Sequence, residues 1–294
     1  MNYLMLAFAA VLNSFDFVIS KLYQKRVGST LRSGFVFNGL VGAFSAVIFF
    51  CINGFKLDIS WYSCIWALIM TAVAVVYIIL GFKILSESKM AYYTFYRMTG
   101  TMLLPYLWGL LMLQENFSVL EMIGLVVMVA AVMIMNLDGK RLSFKHTALC
   151  LAVFVLAGCT GIISKEHALS PSAVSPVDYI ILTSLAKILL CGGYLCLPDR
   201  KEHSKASQNP MRGKVRKALW FLGIFGGSAL ITGISYMLQL VCAENVPATV
   251  LYPLITGGTV VFTAVTARIF FGEKFTAKST VAIILCVVGT CLFL

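Results

Sequence analysis

Acidic residues are scarce in this sequence. Asp and Glu together number 12 against 23 Lys and Arg, and all charged residues make up 12% of the 294 residues, where soluble domains carry roughly 25%. Apolar residues make up 60%, and the mean hydropathy is +0.92. This composition excludes a soluble domain and indicates an integral membrane protein. In a membrane protein, the net charge of +11 reflects basic residues in the loops that stay in the cytoplasm. Nucleic acid is therefore not an expected partner.

Residues that bind metals or catalyse reactions are also few. There are three histidines, and the nine cysteines mostly lie inside apolar runs, without a C-x-x-C pair or a metal-like spacing to a histidine. We interpret these cysteines as small buried apolar residues. The sequence also lacks a paired Asp-rich motif, a His/Glu cluster and a Ser/His/Asp set. We therefore expect no enzyme activity, no cofactor and no bound metal.

Long apolar runs are abundant. Runs of about 17–25 apolar residues predict helices that cross a hydrocarbon layer about 30 Å thick. We predict ten spans, at about 2–20, 33–52, 62–82, 91–113, 119–136, 147–164, 178–197, 218–241, 248–270 and 276–294. The first lacks a basic start and a small-residue cleavage site, so we interpret it as a span and not as a signal peptide. The longest connection, 198–217, is polar and basic and predicts a solvated loop.

The two halves of the chain resemble each other in a consistent order. Glu87, Ala91, Thr99 and Gly100 correspond to Glu244, Ala248, Thr256 and Gly257. Glu115 and Phe117 correspond to Glu273 and Phe275, and Val18-Ile19-Ser20-Lys21 corresponds to Ile162-Ile163-Ser164-Lys165. The shared order indicates a diverged duplication. We predict a first repeat at 1–140 and a second at 145–294. Because each holds five spans, an odd number, the predicted fold is an all-α integral membrane protein with ten transmembrane helices in two inverted five-helix repeats.

Basic residues mark one side of the predicted membrane. Nineteen of the 23 Lys and Arg fall on the side of the loops after spans 1, 3, 5, 7 and 9, whereas only Lys56 and Lys165 fall on the other side. Arg97 and Lys187 lie within spans. Short loops rich in Lys and Arg stay in the cytoplasm. The 198–217 loop is therefore predicted to be cytoplasmic, with both termini outside.

Motifs at equivalent places of the two halves point to a known family. They are Ser20-Lys21 and Ser164-Lys165, the turns Gln114-Glu115-Asn116-Phe117 and Gly272-Glu273-Lys274-Phe275, and Glu244-Asn245-Val246-Pro247-Ala248 before span 9. With these motifs, nearly the whole chain resembles the EamA branch of the drug/metabolite transporter superfamily. The resemblance implies a secondary carrier that works by alternating access around a cavity lined by spans 1–4 and 6–9, with spans 5 and 10 peripheral. Such carriers are usually drawn with cytoplasmic termini, which the charge count contradicts here.

Charged residues inside spans are costly and mark candidate functional sites. Asp16 and Arg97 lie at depths that differ by about a residue or two, at 1.5 Å per residue, so an ion pair between them is geometrically allowed. One interpretation is a structural pair, or an Arg97 that reaches to the membrane surface. The other is a proton or cation site at Asp16, with Arg97 as its partner or as a partner for a substrate carboxylate. Lys187, in the middle of span 7, is either the counter-charge of an anionic substrate or a solvated bystander.

Neutral polar residues within spans complete the candidate binding site, since an amide or hydroxyl in the membrane needs a partner or water. They are Asn13, Asn38, Tyr77, Tyr96, Thr99, Thr160, Tyr236, Gln239 and Thr256. Tyr92 and Tyr93, nearer the end of span 4, are assigned to the aromatic belt at the membrane surface. Glu115 and Glu273 are interpreted as acids that the dipoles of spans 5 and 10 favour, without a role in transport.

These features predict a carrier in the cell membrane that exports or exchanges small metabolites. The expected solutes are amino-acid-like or otherwise zwitterionic or anionic, with H⁺ or another ion as a coupling partner. An efflux carrier of cationic drugs is the alternative within this class, and a membrane scaffold or sensor is the alternative outside it. A scaffold has no evident need for charges within spans. The sequence leaves open whether the protein is a monomer or a homodimer.

Overall fold

In a computed structural model, the chain forms a bundle of helices. The structure describes residues 2–28, 30–85, 90–116, 118–136, 144–196, 219–272 and 276–293, and no strand occurs in these ranges. The helices are α1 (Asn2–Val27), α2 (Leu31–Ile52), α3 (Trp61–Leu85), α4 (Met90–Leu111), α5 (Val119–Asn136), α6 (Phe144–Leu169), α7 (Pro176–Leu195), α8 (Leu219–Asn245), α9 (Ala248–Phe271) and α10 (Ala277–Cys291). The 198–217 loop, Glu87, Phe117 and residues 273–275 lie outside the described residues.

Each predicted span corresponds to one of these ten helices. Seven of them, α1–α3 and α6–α9, are long and apolar enough to cross a membrane by length and composition alone. The apolar parts of α5 and α10, Val119–Ile134 and Ala277–Cys291, are shorter, and α4 carries Arg97 among several tyrosines and threonines. Large apolar side chains also cover the outer surface: Trp61, Leu111, Leu189 and Ile269 are each at least 66% exposed. Such a surface suits contact with lipid.

Polar caps set several helix ends that apolar runs leave approximate. The side chain of Thr30 accepts a hydrogen bond from the backbone N–H of Ser33 and so begins α2. Ser175 does the same for α7, whose first residue is Pro176. α9 ends at Gly272, which has a left-handed φ of 65°. The bounds of these helices therefore follow from single residues as well as from hydropathy.

The helices pack in a regular set of pairs. α1 packs against α8 and α9, and α6 packs against α3 and α4. α2 packs along α7, α4 along α9, and α5 along α10. Apart from each other, α5 and α10 pack mainly on α4 and α9. These two helices are therefore peripheral, as the family resemblance implied.

Contacts at both ends of each pair fix the helix directions. α4 runs parallel to α6, and α1 runs parallel to α9. The contacts are Gly100 with Phe154 and Trp108 with Glu166 for the first pair, and Gly258 with Ala10 and Phe271 with Lys21 for the second. α2 and α7 are antiparallel, and so are α4 and α9, α5 and α10, and α1 and α8. For α2 and α7 the contacts are Phe35 with Tyr194 and Asn53 with Asp178, and for α1 and α8 they are Ala9 with Ser235 and Asp16 with Ser228. Gly109 of α4 contacts Ala248 of α9, and Gly124 of α5 contacts Phe293 just after α10. Toward the opposite ends of these helices, Met98, Val260, Ala131 and Cys286 belong to one apolar cluster.

The bundle therefore has two distinct ends. We call the end where the odd-numbered helices begin and the even-numbered helices end the first face, and the opposite end the second face. The connections at the second face mostly lie outside the described residues, whereas those at the first face are described almost completely.

Candidate functional site

Asp16 on α1 lies at the centre of a group of polar side chains inside the bundle. The hydroxyl of Ser228 on α8 donates a hydrogen bond of 2.6 Å to the Asp16 carboxylate. Ser228 is fully buried, and Asp16 is half-buried. Hydrogen bonds to an ionised carboxylate are among the stronger ones in proteins. Ser228 therefore fixes the orientation of the carboxylate from the neighbouring helix.

Arg97 on α4 is surrounded by aromatic rings. Its guanidinium carbon lies 5.5 Å from the ring centre of Tyr77 on α3 and 5.9 Å from that of Phe17 on α1. The guanidinium also forms a side-chain hydrogen bond with Tyr93. A cation over aromatic faces gains most where water is excluded. The aromatic groups thus hold the charge of Arg97 inside the bundle, at the level of Asp16.

Tyr93 is placed by a glycine on the neighbouring helix. A Cβ atom at Gly81 of α3 would lie 2.7 Å from the Tyr93 ring, so a larger residue at this position would displace the ring. Tyr93 therefore packs between α3 and α4, and its assignment to the surface belt stays a prediction. Its spacing of four residues from Arg97 puts both on one face of α4, and that spacing was the signal by which the sequence could have revealed the pair.

Lys187 on α7 is the third charged group of this region. Its Cβ lies against Gly42 of α2, where an added Cβ would be 3.2 Å away. The side chain is half-buried, and no hydrogen bond or ion pair from the described residues reaches its ammonium group. Lys187 and Arg97 both interact electrostatically with Asp16, although neither lies within the 4.0 Å of a direct ion pair. The structure therefore brings the three predicted charges together without the direct Asp16–Arg97 pair that one interpretation invoked.

Two of the predicted amides meet in the seam between α1 and α8. The hydroxyl of Ser235 on α8 lies 2.8 Å from Asn13 Oδ1 and 2.9 Å from the carbonyl oxygen of Ala9. The amide of Gln239 donates to Ser235 Oγ at 3.1 Å. Asn13 and Gln239 are thus linked through a buried serine. This row continues along the same seam that holds Asp16 and Ser228.

The other predicted residues are more dispersed. Tyr236 on α8 is hydrogen-bonded to Ser164 on α6, with 2.9 Å between the hydroxyls. Thr160 and Asn38 bond to backbone carbonyls of their own helices, Thr99 is buried without a hydrogen bond among the described residues, and Thr256 is half-buried. Tyr96 packs in an apolar cluster between α3 and α6. The candidates that gather around Asp16 are therefore Arg97, Lys187 and Tyr77, with Asn13 and Gln239 farther along the seam.

A second polar cluster lies at the first face and involves two motif residues. Lys165 donates hydrogen bonds of 2.7 Å to the carbonyl oxygens of Ala243 and Val246 at the end of α8. Glu115 accepts hydrogen bonds of 2.8 and 2.9 Å from the backbone N–H groups of Ala248 and Thr249 at the start of α9. The Lys165 ammonium lies 3.7 Å from Glu115 Oε1, and the two side chains are only 4% and 13% exposed. We call this group the α8–α9 clamp.

The clamp corrects two assignments made from the sequence. Lys165 was counted among loop residues, but it is buried and paired. Glu115 was assigned to the dipole of the helix that follows it, but it caps α9, because the α4–α5 turn folds over the start of that helix. Helix N-termini favour acids in either case. A sequence identifies the acid but not which helix end it will meet.

Other polar contacts also close the first face. Trp108 donates to Glu166 at 2.6 Å, and Ser63 is 2.9 Å from the ring nitrogen of His167. Asn53 donates to Asp178 at 2.8 Å across the α2–α7 pair. Together with the clamp, these bonds join the ends of α2, α4, α6 and α8 to the starts of α3, α7 and α9.

In the part of the chain that the structure describes, no group of three or more His, Cys, Asp or Glu could hold a metal ion. All nine cysteines are described, and none of them forms a disulfide.

Seven membrane-length apolar helices with a lipid-compatible surface, arranged around interior charges, define a multi-pass integral membrane protein. The sequence model of the EamA-like transporter family matches residues 145–294, half of the chain. The chain belongs to this family. A solved structure, described only as the crystal structure of a protein, superposes with a TM-score of 0.73 at 15% identity, over 99% of this chain and 95% of that one. At this identity the likeness concerns the fold alone. No curated protein matches the chain significantly.

Proposed function

We propose that this protein is a secondary carrier of small organic solutes in the cell membrane, exporting or exchanging them by alternating access. The observation that carries the proposal is the interior charge: Arg97 and Lys187 both interact electrostatically with Asp16 between α1, α4 and α7, and Lys187 has no hydrogen bond or direct ion pair among the described residues. Charged groups in a membrane interior are rarely kept without a function. Membership of a transporter family supports the same conclusion.

The carrier is built from two inverted five-helix repeats, 1–140 and 145–294. Two features support this. If the two repeats are equivalent, α1 corresponds to α6, α3 to α8, and α4 to α9. The packing of α1 against α8 and α9 then corresponds to the packing of α6 against α3 and α4, and both sets of contacts are present. In addition, α2, α4 and α5 are each antiparallel to their counterparts α7, α9 and α10. Inverted repeats allow one packing scheme to open to either side of a membrane around a fixed site.

The solute is an anionic or zwitterionic metabolite, of the amino-acid kind. Arg97 and Lys187 supply two positive charges and Asp16 supplies one negative charge. In a site of low dielectric, the unmatched cation favours a carboxylate or phosphate on the solute. An ammonium group on the same solute then faces Asp16, and the Asp16 carboxylate is also the group that takes up H⁺ or another coupling ion.

A carrier of cationic drugs is the second candidate. The specific observation in its favour is that the rings of Phe17 and Tyr77 already accommodate a cation, the guanidinium of Arg97. Aromatic faces that hold a guanidinium can also hold the cationic group of a drug, and Asp16 would supply its counter-charge. Under this alternative, Arg97 and Lys187 must turn away from the solute or lose their charge.

Uptake into liposomes that contain the purified protein separates the candidates. The assay offers a mixed pool of radiolabelled carboxylates, zwitterions and quaternary ammonium compounds, with empty liposomes as the control. We expect uptake of members of the first two groups. Uptake of the quaternary compounds alone would establish the second candidate, and no uptake of any class under either gradient direction would favour a scaffold or sensor.

Orientation follows from the basic loops. We propose that the second face is cytoplasmic, because the basic 198–217 segment connects the end of α7 to the start of α8, which are both at that face. A reporter inserted at residue 208 tests this directly. A reporter that responds outside the cell would reverse the orientation and restore cytoplasmic termini.

A further inference from the structure

The α8–α9 clamp joins the two halves of the chain. Glu115 comes from the first half, whereas Lys165 and both helix ends come from the second. Each of its two charges contacts helix-end groups of opposite partial charge. The Lys165 ammonium contacts the carbonyl oxygens at the end of α8, and the Glu115 carboxylate contacts the N–H groups at the start of α9. The clamp therefore holds the α8–α9 connection against the α4–α5 turn.

The space for the acid is part of the fold. A Cβ atom at Gly109 would lie 2.5 Å from Glu115 Oε2. Gly109 therefore leaves room for the carboxylate beside the end of α4. The backbone N–H of Glu115 also donates a hydrogen bond of 3.0 Å to the carbonyl oxygen of Gly109. Gln114, just before the acid, has a positive φ of 51°, a conformation that costs free energy for a residue other than glycine. These local features together position the Glu115 carboxylate at the start of α9.

The clamp is also connected to the interior. Ser164, next to Lys165, is hydrogen-bonded to Tyr236, and the Tyr252 hydroxyl donates to the carbonyl oxygen of Gly161 one turn earlier on α6. A shift of α8 or α9 relative to α6 therefore changes contacts deeper in the bundle and at the clamp together.

We propose that the α8–α9 clamp is the gate of the first face: it holds this face closed in the conformation described and opens when the carrier exposes its interior to that side. This rests on the proposed carrier function. Every group in the clamp is a charge or a helix-end polar group, so water replaces each lost bond once the face opens. A buried charge pair is costly to leave half-formed. The clamp consequently favours two discrete states, fully bonded or fully hydrated, which is what an alternating-access carrier requires.

A thiol placed below the clamp tests this. Thr160 is half-buried on α6, about one turn from Ser164, and its hydroxyl donates a hydrogen bond to the Ala157 carbonyl oxygen of the same helix. Thr160→Cys, in a chain whose nine native cysteines are replaced by alanine, reports access from either side. Right-side-out and inside-out membrane vesicles expose the two faces separately to a membrane-impermeant thiol reagent.

We expect slow labelling of Thr160→Cys from the first face in the otherwise unchanged chain. Adding Glu115→Gln should raise this rate about tenfold, a shift of roughly 1.4 kcal/mol in the balance between closed and open, and should lower the rate from the second face. The matched control is Glu244→Gln, an exposed acid at the same end of α8, which should change neither rate. Lys165→Met should shift both rates in the same directions as Glu115→Gln.

Opposite changes at the two faces distinguish a gate from a structural fastening. If Glu115→Gln and Lys165→Met raise labelling from both faces, the clamp only stabilises the fold and the proposal is wrong. Unchanged labelling in both variants overturns it as well. Solute uptake by the chain with all its native residues, in vesicles prepared in the same way, tests the carrier function separately: an unchanged chain that moves no solute contradicts that function, whatever the labelling of the variants shows.

Discussion

Charged side chains have more direct partners at the first face of the bundle than in its interior. At the first face, Lys165 and Glu115 are hydrogen-bonded to helix ends and form an ion pair with each other. In the interior, Asp16 has one direct partner, Ser228, and Lys187 has none among the described residues. A fully bonded pair contributes to closing the structure, whereas an incompletely bonded group is available to a ligand. The comparison supports the proposed gate at the first face and the proposed binding site in the interior.

The largest expected effect is at Asp16. Asp16→Asn keeps an oxygen that accepts from Ser228 but removes the charge. We expect gradient-driven uptake to fall at least about a hundredfold, equal to roughly 2.7 kcal/mol, with folded protein recovered in normal amount. Proton-driven uptake into liposomes and size-exclusion chromatography measure the two quantities.

Loss of folded Asp16→Asn protein would instead mean that Asp16 is structural. In that event Arg97→Ala should be about as damaging. The double variant should then be milder than either single one, because an unpaired buried charge is worse than none.

The next largest effect concerns stability at the first face. Lys165→Met leaves two carbonyls at the end of α8 without donors and Glu115 without its cation, so we expect a loss of about 3 kcal/mol in the free energy of unfolding. Lys187→Met, in contrast, breaks no bond among the described residues and should change it by less than about 0.5 kcal/mol. Denaturant unfolding in detergent measures both. Equal losses would erase the difference between the two regions.

A smaller effect is expected at Tyr93. Tyr93→Phe keeps the ring against Gly81 and removes the hydroxyl that bonds Arg97, so the apparent affinity for an acidic solute should fall about fivefold, or roughly 1 kcal/mol. Tyr106→Phe is the matched control on α4, because the Tyr106 hydroxyl is buried without a hydrogen bond to any described residue. Equal effects of the two changes on solute affinity would remove Tyr93 from the site.

Much of the fold was predictable because hydropathy acts over whole helices. A run of about twenty apolar residues has few stable structures other than a membrane helix, and all ten runs correspond to helices. Exact ends depend on single capping residues such as Thr30 and Gly272, so the predicted bounds were approximate. The inversion of the repeats and the side of the membrane remain predictions.

The site was only partly predictable because pairing across helices is not local. The cost of charge in a membrane pointed to Asp16, Arg97 and Lys187, and the structure brings these together. Ser228 was missed because a small residue that follows two glycines resembles a helix-packing surface until the opposite helix is known. Lys165 was misassigned because its partners are backbone carbonyls of α8, which have no signature in the sequence.

The central claim is that Lys187, which has no direct ion pair among the described residues, binds the carboxylate of the solute, and it is tested most directly at this residue. The measurement is uptake of a radiolabelled carboxylate-bearing solute and of its neutral amide analogue into liposomes, by the unchanged protein and by Lys187→Met. We predict that the unchanged protein prefers the acid and that Lys187→Met loses most of the acid uptake while keeping that of the amide. Unchanged acid uptake by Lys187→Met, or transport of hydrophobic cations alone that improves after the change, would contradict the account.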